Sequence, residues 1–316
     1  RPRVTPRVSR WTGYLPFGYP QGPRAMFPSL LAFTAALLAP QSADPLVSAS
    51  WLAEHLNDPR VVVVQVDGRR EPYAEGHIPG ARFVALSEIT VDGGPGVELP
   101  PAEELERTLR RLGISDDSHV VIYSAVSPLA AARLWMSLDV LGHADHASLL
   151  NGGLVAWRAQ GGPVTTSVPV AEEGTLTHRT RAPFLVTADW IHQRLDDPNV
   201  LLIDARPDNE YTGADGGMGG RAHPGHIPGA YQVYWEKLVQ SDNRSQLLPL
   251  DALRREFEAA GAAPGKAVVA YCMVGMRASL TYLVGRMLGY DMKFYDGSWH
   301  DWGTRDLPYV TGTARR

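Results

Sequence analysis

Val268-Val269-Ala270-Tyr271-Cys272-Met273-Val274-Gly275-Met276-Arg277-Ala278 is the stretch on which the reading of this chain turns. Val268 to Tyr271 is short, apolar and largely β-branched, as a central strand of a parallel sheet should be. Beyond it Leu280, Leu283, Val284, Met287 and Leu288 recur at helical spacing and Gly289 supplies a stop signal, which predicts a helix from Ala278 to about Gly289. Between the two lies a six-residue loop, Cys272 to Arg277, that opens on the only cysteine of the chain. In a strand–loop–helix turn, backbone N–H groups and a helix N-terminus converge on one point. A cysteine placed there is favoured as the thiolate, the nucleophilic form, and Arg277 adds a fixed positive charge. The alternative is a small buried core residue, as lone free cysteines often are.

Outward from this stretch the chain repeats itself. Val47 to Val61, containing Ser50-Trp51-Leu52 and Asn57-Asp58-Pro59, returns as Val186 to Val200, containing Asp189-Trp190-Ile191 and Asp196-Asp197-Pro198. Ser48 and Thr187 are placed as helix N-caps. Each copy continues with a strand, Val61 to Val66 and Val200 to Ile203, that ends in Asp67-Gly68-Arg69 or Asp204-Ala205-Arg206. Gly-His-Ile-Pro-Gly-Ala follows in both, at Gly76 to Ala81 and Gly225 to Ala230. Val120-Val121-Ile122-Tyr123-Ser124 then matches Val268-Val269-Ala270-Tyr271-Cys272, and Asn151-Gly152-Gly153 with Trp157 matches Asp296-Gly297-Ser298 with Trp302.

The chain therefore reads as a tandem duplication of one α/β domain, each copy a parallel sheet flanked by helices on both faces. A length of 316 residues suits two domains. Expected boundaries are a tail at 1–43, a first domain at 44–162, a linker at 163–183 running across the surface, and a second domain at 184–316. Ser124 stands where Cys272 stands, and no arginine in its loop matches Arg277, so the first copy is expected to be inactive. Ser124 lacks the Gly-x-Ser-x-Gly elbow of a serine nucleophile. The second copy carries an extra glycine-rich segment, Thr212 to His223 with Arg221, placed to form a wall of the cleft.

Composition is that of a globular protein, 44% hydrophobic and 20% charged. A net charge of −4 gives no ground for nucleic-acid binding. One cysteine excludes an internal disulfide and a cysteine-rich zinc site, and ten histidines show no metal-ligand spacing, so no metal or organic cofactor is implied. His143 and His146 are a lone pair read as surface or loop residues. Residues 1–25 are rich in Arg, Pro and Gly. Met26 to Ala43 contains an apolar core, Leu30 to Leu38, too short to span a membrane but shaped like an export signal. The expectation is a periplasmic or otherwise exported protein with no stable membrane association. A short helix packed on a cytoplasmic protein is the alternative.

These motifs resemble the tandem-domain rhodanese family, the thiosulfate and 3-mercaptopyruvate sulfurtransferases, over roughly residues 44–310. The Asp-x-Arg strand end, Gly-His-Ile-Pro-Gly-Ala, the Cys-x-x-Gly-x-Arg loop and Asp-Gly-Ser-Trp occur in order, most of them twice. In that family the second domain carries the nucleophile. The resemblance implies ping-pong sulfur transfer through a Cys272 persulfide, from a small-molecule donor to a thiophilic acceptor such as cyanide or a thiol, by a monomer. Met273, Val274, Gly275, Met276 and Arg277 would cradle the sulfur with backbone amides. Arg277, Arg206 and, more weakly, Arg221 would hold the anionic leaving group. For Arg206 the competing expectation is a structural ion pair with Asp204 or Glu210. Asp204, His77 and His226 read as structural.

The loop matches neither family subtype in full. The mercaptopyruvate enzymes carry a serine where Val274 stands, and animal-type rhodaneses carry two cations where Met273 and Val274 stand. Thiosulfate is the expected donor, because a compact dianion needs cations more than a hydroxyl relay. Cdc25-type phosphatases share the fold but place five residues between Cys and Arg. Met273 to Met276 are four, a ring sized for one sulfur. A carrier or docking module with little free turnover is the rival of another class.

Overall fold

Parallel strands buried on both faces should appear as unbroken apolar runs, and the two runs that end in Ser124 and Cys272 form the centres of two sheets. The computed structural model describes residues 43–92, 97–179 and 184–315. The Met26–Ala43 segment, all but its last residue, lies outside them. No helix among the described residues is long and apolar enough to cross a membrane.

In the first domain the elements are β1 (Leu46–Val47), α1 (Ala49–His55), β2 (Val61–Asp67), α2 (Glu71–Glu75), β3 (Arg82–Ala85), a short antiparallel pair β4 (Val91–Asp92) and β5 (Val97–Glu98), α3 (Ala102–Arg111), β6 (His119–Tyr123), α4 (Pro128–Val140), β7 (Ala147–Leu150) and α5 (Gly153–Ala159). The second domain has α6 (Ala188–His192), β8 (Val200–Asp204), α7 (Asp208–Tyr211), α8 (Gly216–Gly220), β9 (Tyr231–Gln232), α9 (Leu250–Ala259), β10 (Ala267–Tyr271), α10 (Met276–Met287), β11 (Asp291–Phe294) and α11 (Ser298–Trp302). The sheets run β1-β7-β6-β2-β3 and β11-β10-β8-β9, with every pairing in both parallel. Among the described residues the second lacks only the outer strand, reduced there to a single parallel bridge between Leu185 and Phe294. Ser48 and Thr187 cap α1 and α6 as expected, each accepting from the amide three residues on.

The Gly-His-Ile-Pro-Gly-Ala turns are structural in both copies. His77 stacks on Tyr73 and His226 on Tyr211, each at 3.7 Å, and the Nδ1 of each faces the same tyrosine's carbonyl at 2.8 Å. Each histidine also pairs, as an isolated antiparallel bridge, with the chain that leaves its domain, at Thr165 and Val310. The segment from Gly162 to Arg179 is pinned along the first domain: Leu176 is fully buried, Gly174 N donates to Arg110 O at 2.9 Å and Arg179 N to Leu141 O at 2.9 Å.

The two domains face each other through α4 and α10. Both helices are buried on nearly all sides, which is why neither shows a polar face. Leu134, Leu138, Leu280 and Leu283 are fully buried in one continuous core, each contributing about 1.5–3 kcal/mol. At its edge Asp139 on α4 accepts from Tyr282 Oη at 2.6 Å and Arg286 Nη1 at 2.7 Å on α10. The contact has a pseudo-twofold: Leu247 N donates to Asn151 Oδ1 at 2.9 Å, and Leu99 N donates to Asp296 Oδ2 at 2.8 Å.

Candidate functional site

Cys272 is the first residue beyond β10, at the C-terminal edge of the sheet, where ligands of open α/β sheets are bound. The helix after it starts at Met276, two residues earlier than its apolar spacing suggests. Gly275 makes this possible by taking φ +84°, ψ −25° at the N-cap. Arg277 therefore stands in the first turn of α10, not in the loop. Cys272 to Gly275 lie on the segment Asp296 to His300. Trp299 N donates to Cys272 O at 2.9 Å, His300 N to Met273 O at 3.0 Å, and Cys272 N to Ser298 Oγ at 3.2 Å. Ser298 Oγ in turn donates to Tyr295 O at 2.9 Å. Ser298 has φ +53°, the one non-glycine residue in the left-handed region among those described, a conformation that costs about 1–2 kcal/mol. Its counterpart in the first copy is Gly153, at φ +55°.

The cysteine is 0% exposed. It belongs to the buried hydrophobic cluster with Ala270, Ala278 and Leu280, and in its loop Gly275 is buried while Met273, Val274, Met276 and Arg277 are half-buried. In burial it matches the alternative of a small core residue, and the thiol has no opening to solvent.

The arginines divide three ways. Arg277 donates through both terminal nitrogens to the carboxylate of Glu210 at 2.7 Å each, with side chains 19% and 18% exposed. Burial alone would lower the pKa of this guanidinium, but the bond to Glu210 and the charge of nearby Cys272 raise it. Arg206 corrects the expectation that it faces the cleft. It is 1% exposed, and it binds Asp204 through Nε at 2.9 Å and Nη2 at 2.6 Å and Gly225 O at 2.8 Å. It also lies over the Trp299 ring at 4.7 Å. A charge carried this deep needs an opposite charge beside it, and Asp204, two residues away, supplies it. Arg206 thus ties the end of β8 to the Gly-His-Ile-Pro-Gly-Ala turn. Arg221 is exposed at the end of α8. The extra segment around it is folded back on the site's bed: His223 N donates to Gly303 O at 2.7 Å, and Trp299 Nε1 donates to His223 O at 3.2 Å.

The first domain shows the same frame without the cysteine. Ser124 Oγ donates to Asp67 and accepts from the amides of Val126 at 3.1 Å and Ser127 at 2.9 Å. The positions that match Val126 and Ser127 in the second loop are Val274 and Gly275. Pro72 occupies the place of Glu210, and Leu129 that of Arg277. The chemistry-bearing pair is confined to the second copy.

In sequence Glu210 stands out only as a partner of Arg206, and Asp296 and Ser298 only as part of a repeated landmark, with no role at the cysteine, although each differs from its counterpart in the first copy (Pro72, Asn151 and Gly153 respectively). Comparing the copies position by position for gained charges and lost glycines was the available signal. Among the described residues no three His, Cys, Asp or Glu side chains are grouped to hold a metal ion.

Residues 48–160 and 187–305 both match the model of the rhodanese-like domain. The sulfur carrier protein TtuD of Thermus thermophilus is 34% identical over 272 residues, 82% of this chain and 94% of that protein. The thiosulfate sulfurtransferase of Azotobacter vinelandii is 33% identical over 267 residues, 83% of this chain and 96% of that enzyme. Among solved structures, SseA of Escherichia coli, described as a 3-mercaptopyruvate sulfotransferase of rhodanese fold, superposes with a TM-score of 0.71 at 26% identity, covering 81% of this chain and 99% of that one.

Proposed function

This chain belongs to the rhodanese-like domain family, twice over, and from that premise we propose that its second domain is a sulfurtransferase that carries sulfane sulfur on Cys272. The observation that carries the reading is the placement of the lone cysteine at a strand end, one turn before Arg277 at the start of α10. The matching frame around Ser124 supports a cradle of amides at Val274 and Gly275 for the sulfur. In the first half-reaction the Cys272 thiolate attacks the outer sulfur of thiosulfate. The new Cys–S bond forms as the sulfur–sulfur bond to the SO₃ group breaks, and sulfite leaves with the bonding electron pair. In the second, cyanide or a thiolate attacks that outer sulfur and the Cys272 thiolate is regenerated. Arg277 is the group suited to meet the leaving oxyanion, since a guanidinium presents paired donors. Arg206 has no part in this reading, because its side chain is 1% exposed with Nη2 on Asp204 and Gly225, whereas that of Arg277 is 19% exposed.

Thiosulfate remains the favoured donor over 3-mercaptopyruvate because Val274 offers no hydroxyl. The complete cover of Cys272 favours a second reading, in which the persulfide is handed to a protein acceptor that opens the loop, and the similarity to a sulfur carrier points the same way. Incubation with thiosulfate should add one sulfur atom to the mass of the wild-type chain and nothing to Cys272→Ser, which should also form no thiocyanate. Sulfur gained by the serine variant would show that the nucleophile lies elsewhere. Parallel rates with the two donors rank them, and a stable persulfide that cyanide discharges only slowly would favour the carrier.

A further inference from the structure

The first domain contributes a side chain to the bed of the second domain's loop. Arg133, on α4, is 0% exposed and places Nη1 2.8 Å from Asp296 Oδ1, while Leu99 N of the same domain holds Asp296 Oδ2 at 2.8 Å. Asp296 begins the segment whose amides and hydroxyl hold Cys272 and Met273. The ion pair also touches the loop itself. A Cβ on Gly275 would lie 2.7 Å from Asp296 Oδ1 and 3.1 Å from Arg133 Nη1. The glycine that allows the turn into α10 is thus seated directly on the Arg133–Asp296 pair.

The pseudo-twofold supplies an internal control. On the serine side Asn151 makes the same bond to the other domain, from Leu247 N, but it is neutral. The residue that stands to Cys272 as Arg133 stands to Ser124 is Thr281, and Ser127 takes the place of Gly275. At these matched positions the charge pair and the glycine seated on it occur on the cysteine side and not on the serine side.

We infer that Arg133 is a positioning residue for the Cys272 loop: acting through Asp296, the domain without a cysteine fixes the seat of Gly275 and so the shape of the cradle into which sulfur is loaded. The inference rests on the reading of Cys272 as the sulfur-carrying nucleophile. It also gives the first domain a task in the reaction, and it predicts that the second domain separated from the first would load poorly.

The test uses the full chain with Asp296→Asn as the main variant, because Asn151 shows that asparagine fits this position and keeps the cross-domain amide bond. Arg133→Met and Arg133→Lys accompany it. Two readouts are taken on each: the rate of sulfur gain by mass after mixing with thiosulfate, and the rate of Cys272 alkylation by iodoacetamide across pH. Loosening a cradle by a fraction of an ångström should slow loading about tenfold to a hundredfold. The expected result is that slowing in Asp296→Asn and Arg133→Met, an alkylation profile displaced from that of the wild type, and partial recovery in Arg133→Lys. Wild-type loading with an unchanged alkylation profile in folded Asp296→Asn would overturn the inference. Should the wild type take up no sulfur at all, the proposed function fails, and the alkylation profiles still decide whether Arg133 and Asp296 shape the loop.

Discussion

Replacing Glu210 with glutamine should strengthen the binding of an anionic donor. In the structure Glu210 occupies both terminal nitrogens of Arg277 at 2.7 Å, so the cation suited to receive thiosulfate is already neutralised by a neighbour. Two anions that share one guanidinium from opposite edges sit roughly 6 Å apart, and at an effective dielectric of about 20 each unit of donor charge then costs about 3 kcal/mol. The pair is nearly a fifth exposed, and screening by water and salt leaves about half of that. Glu210→Gln should therefore lower the concentration of donor needed for half-maximal loading by about tenfold for each donor charge, since 1.4 kcal/mol is a factor of ten. A dianion gains more than a monoanion, so the preference for thiosulfate over 3-mercaptopyruvate should widen by about tenfold. Stopped-flow loading of the wild type and the variant against concentration of each donor measures both quantities. The reasoning fails if half-saturation rises or stays put in the variant, which would mean that Glu210 aims Arg277 at the donor and does not compete for it.

Three further outcomes are expected. Arg277→Lys keeps the charge but not the paired donors, and should lower the second-order rate constant for thiosulfate loading by about ten- to a hundredfold; an unchanged constant would remove Arg277 from the donor site. Arg206→Met leaves Asp204 as a buried unpaired charge and should cost about 3–5 kcal/mol of stability, read as a lowered denaturation midpoint. Loss of activity without loss of stability would instead return Arg206 to the cleft. Burial holds His119, His143 and His226 below the ordinary imidazole pKa of 6.5. The native state then binds fewer protons than the unfolded chain below about that pH, so stability should fall as pH drops through 6.5, and urea midpoints at pH 8 and pH 5.5 should differ in that order. Equal midpoints would contradict the burial of these rings.

The duplication and the parallel sheets were legible because buried parallel strands leave unbroken apolar runs and because each landmark occurs twice. Cys272 and the turn into a helix could be read from the same local pattern. The partners could not. Arg277 with Glu210, Arg133 with Asp296 and Ser298 beneath Cys272 are tertiary choices between residues far apart in the chain, and a charged side chain does not announce in sequence which opposite charge it will meet. Arg206 shows the same limit at short range. Asp-x-Arg at a strand end is compatible with an arginine pointing into a cleft or folded back on its own aspartate, and burial at 1% decides for the second. The start of α10 was misplaced because apolar spacing locates the buried face of a helix and says nothing about an N-cap set by a left-handed glycine.

Wholly enclosing the cysteine sulfur has a consequence for wear. Peroxide attack on thiolates follows accessibility, so a resting sulfur with no water in contact should resist over-oxidation better than an open one. The same enclosure means that a donor or recipient must open a path before it can meet the sulfur. Whatever opens that path, a small donor or the surface of a recipient protein, decides when sulfur moves.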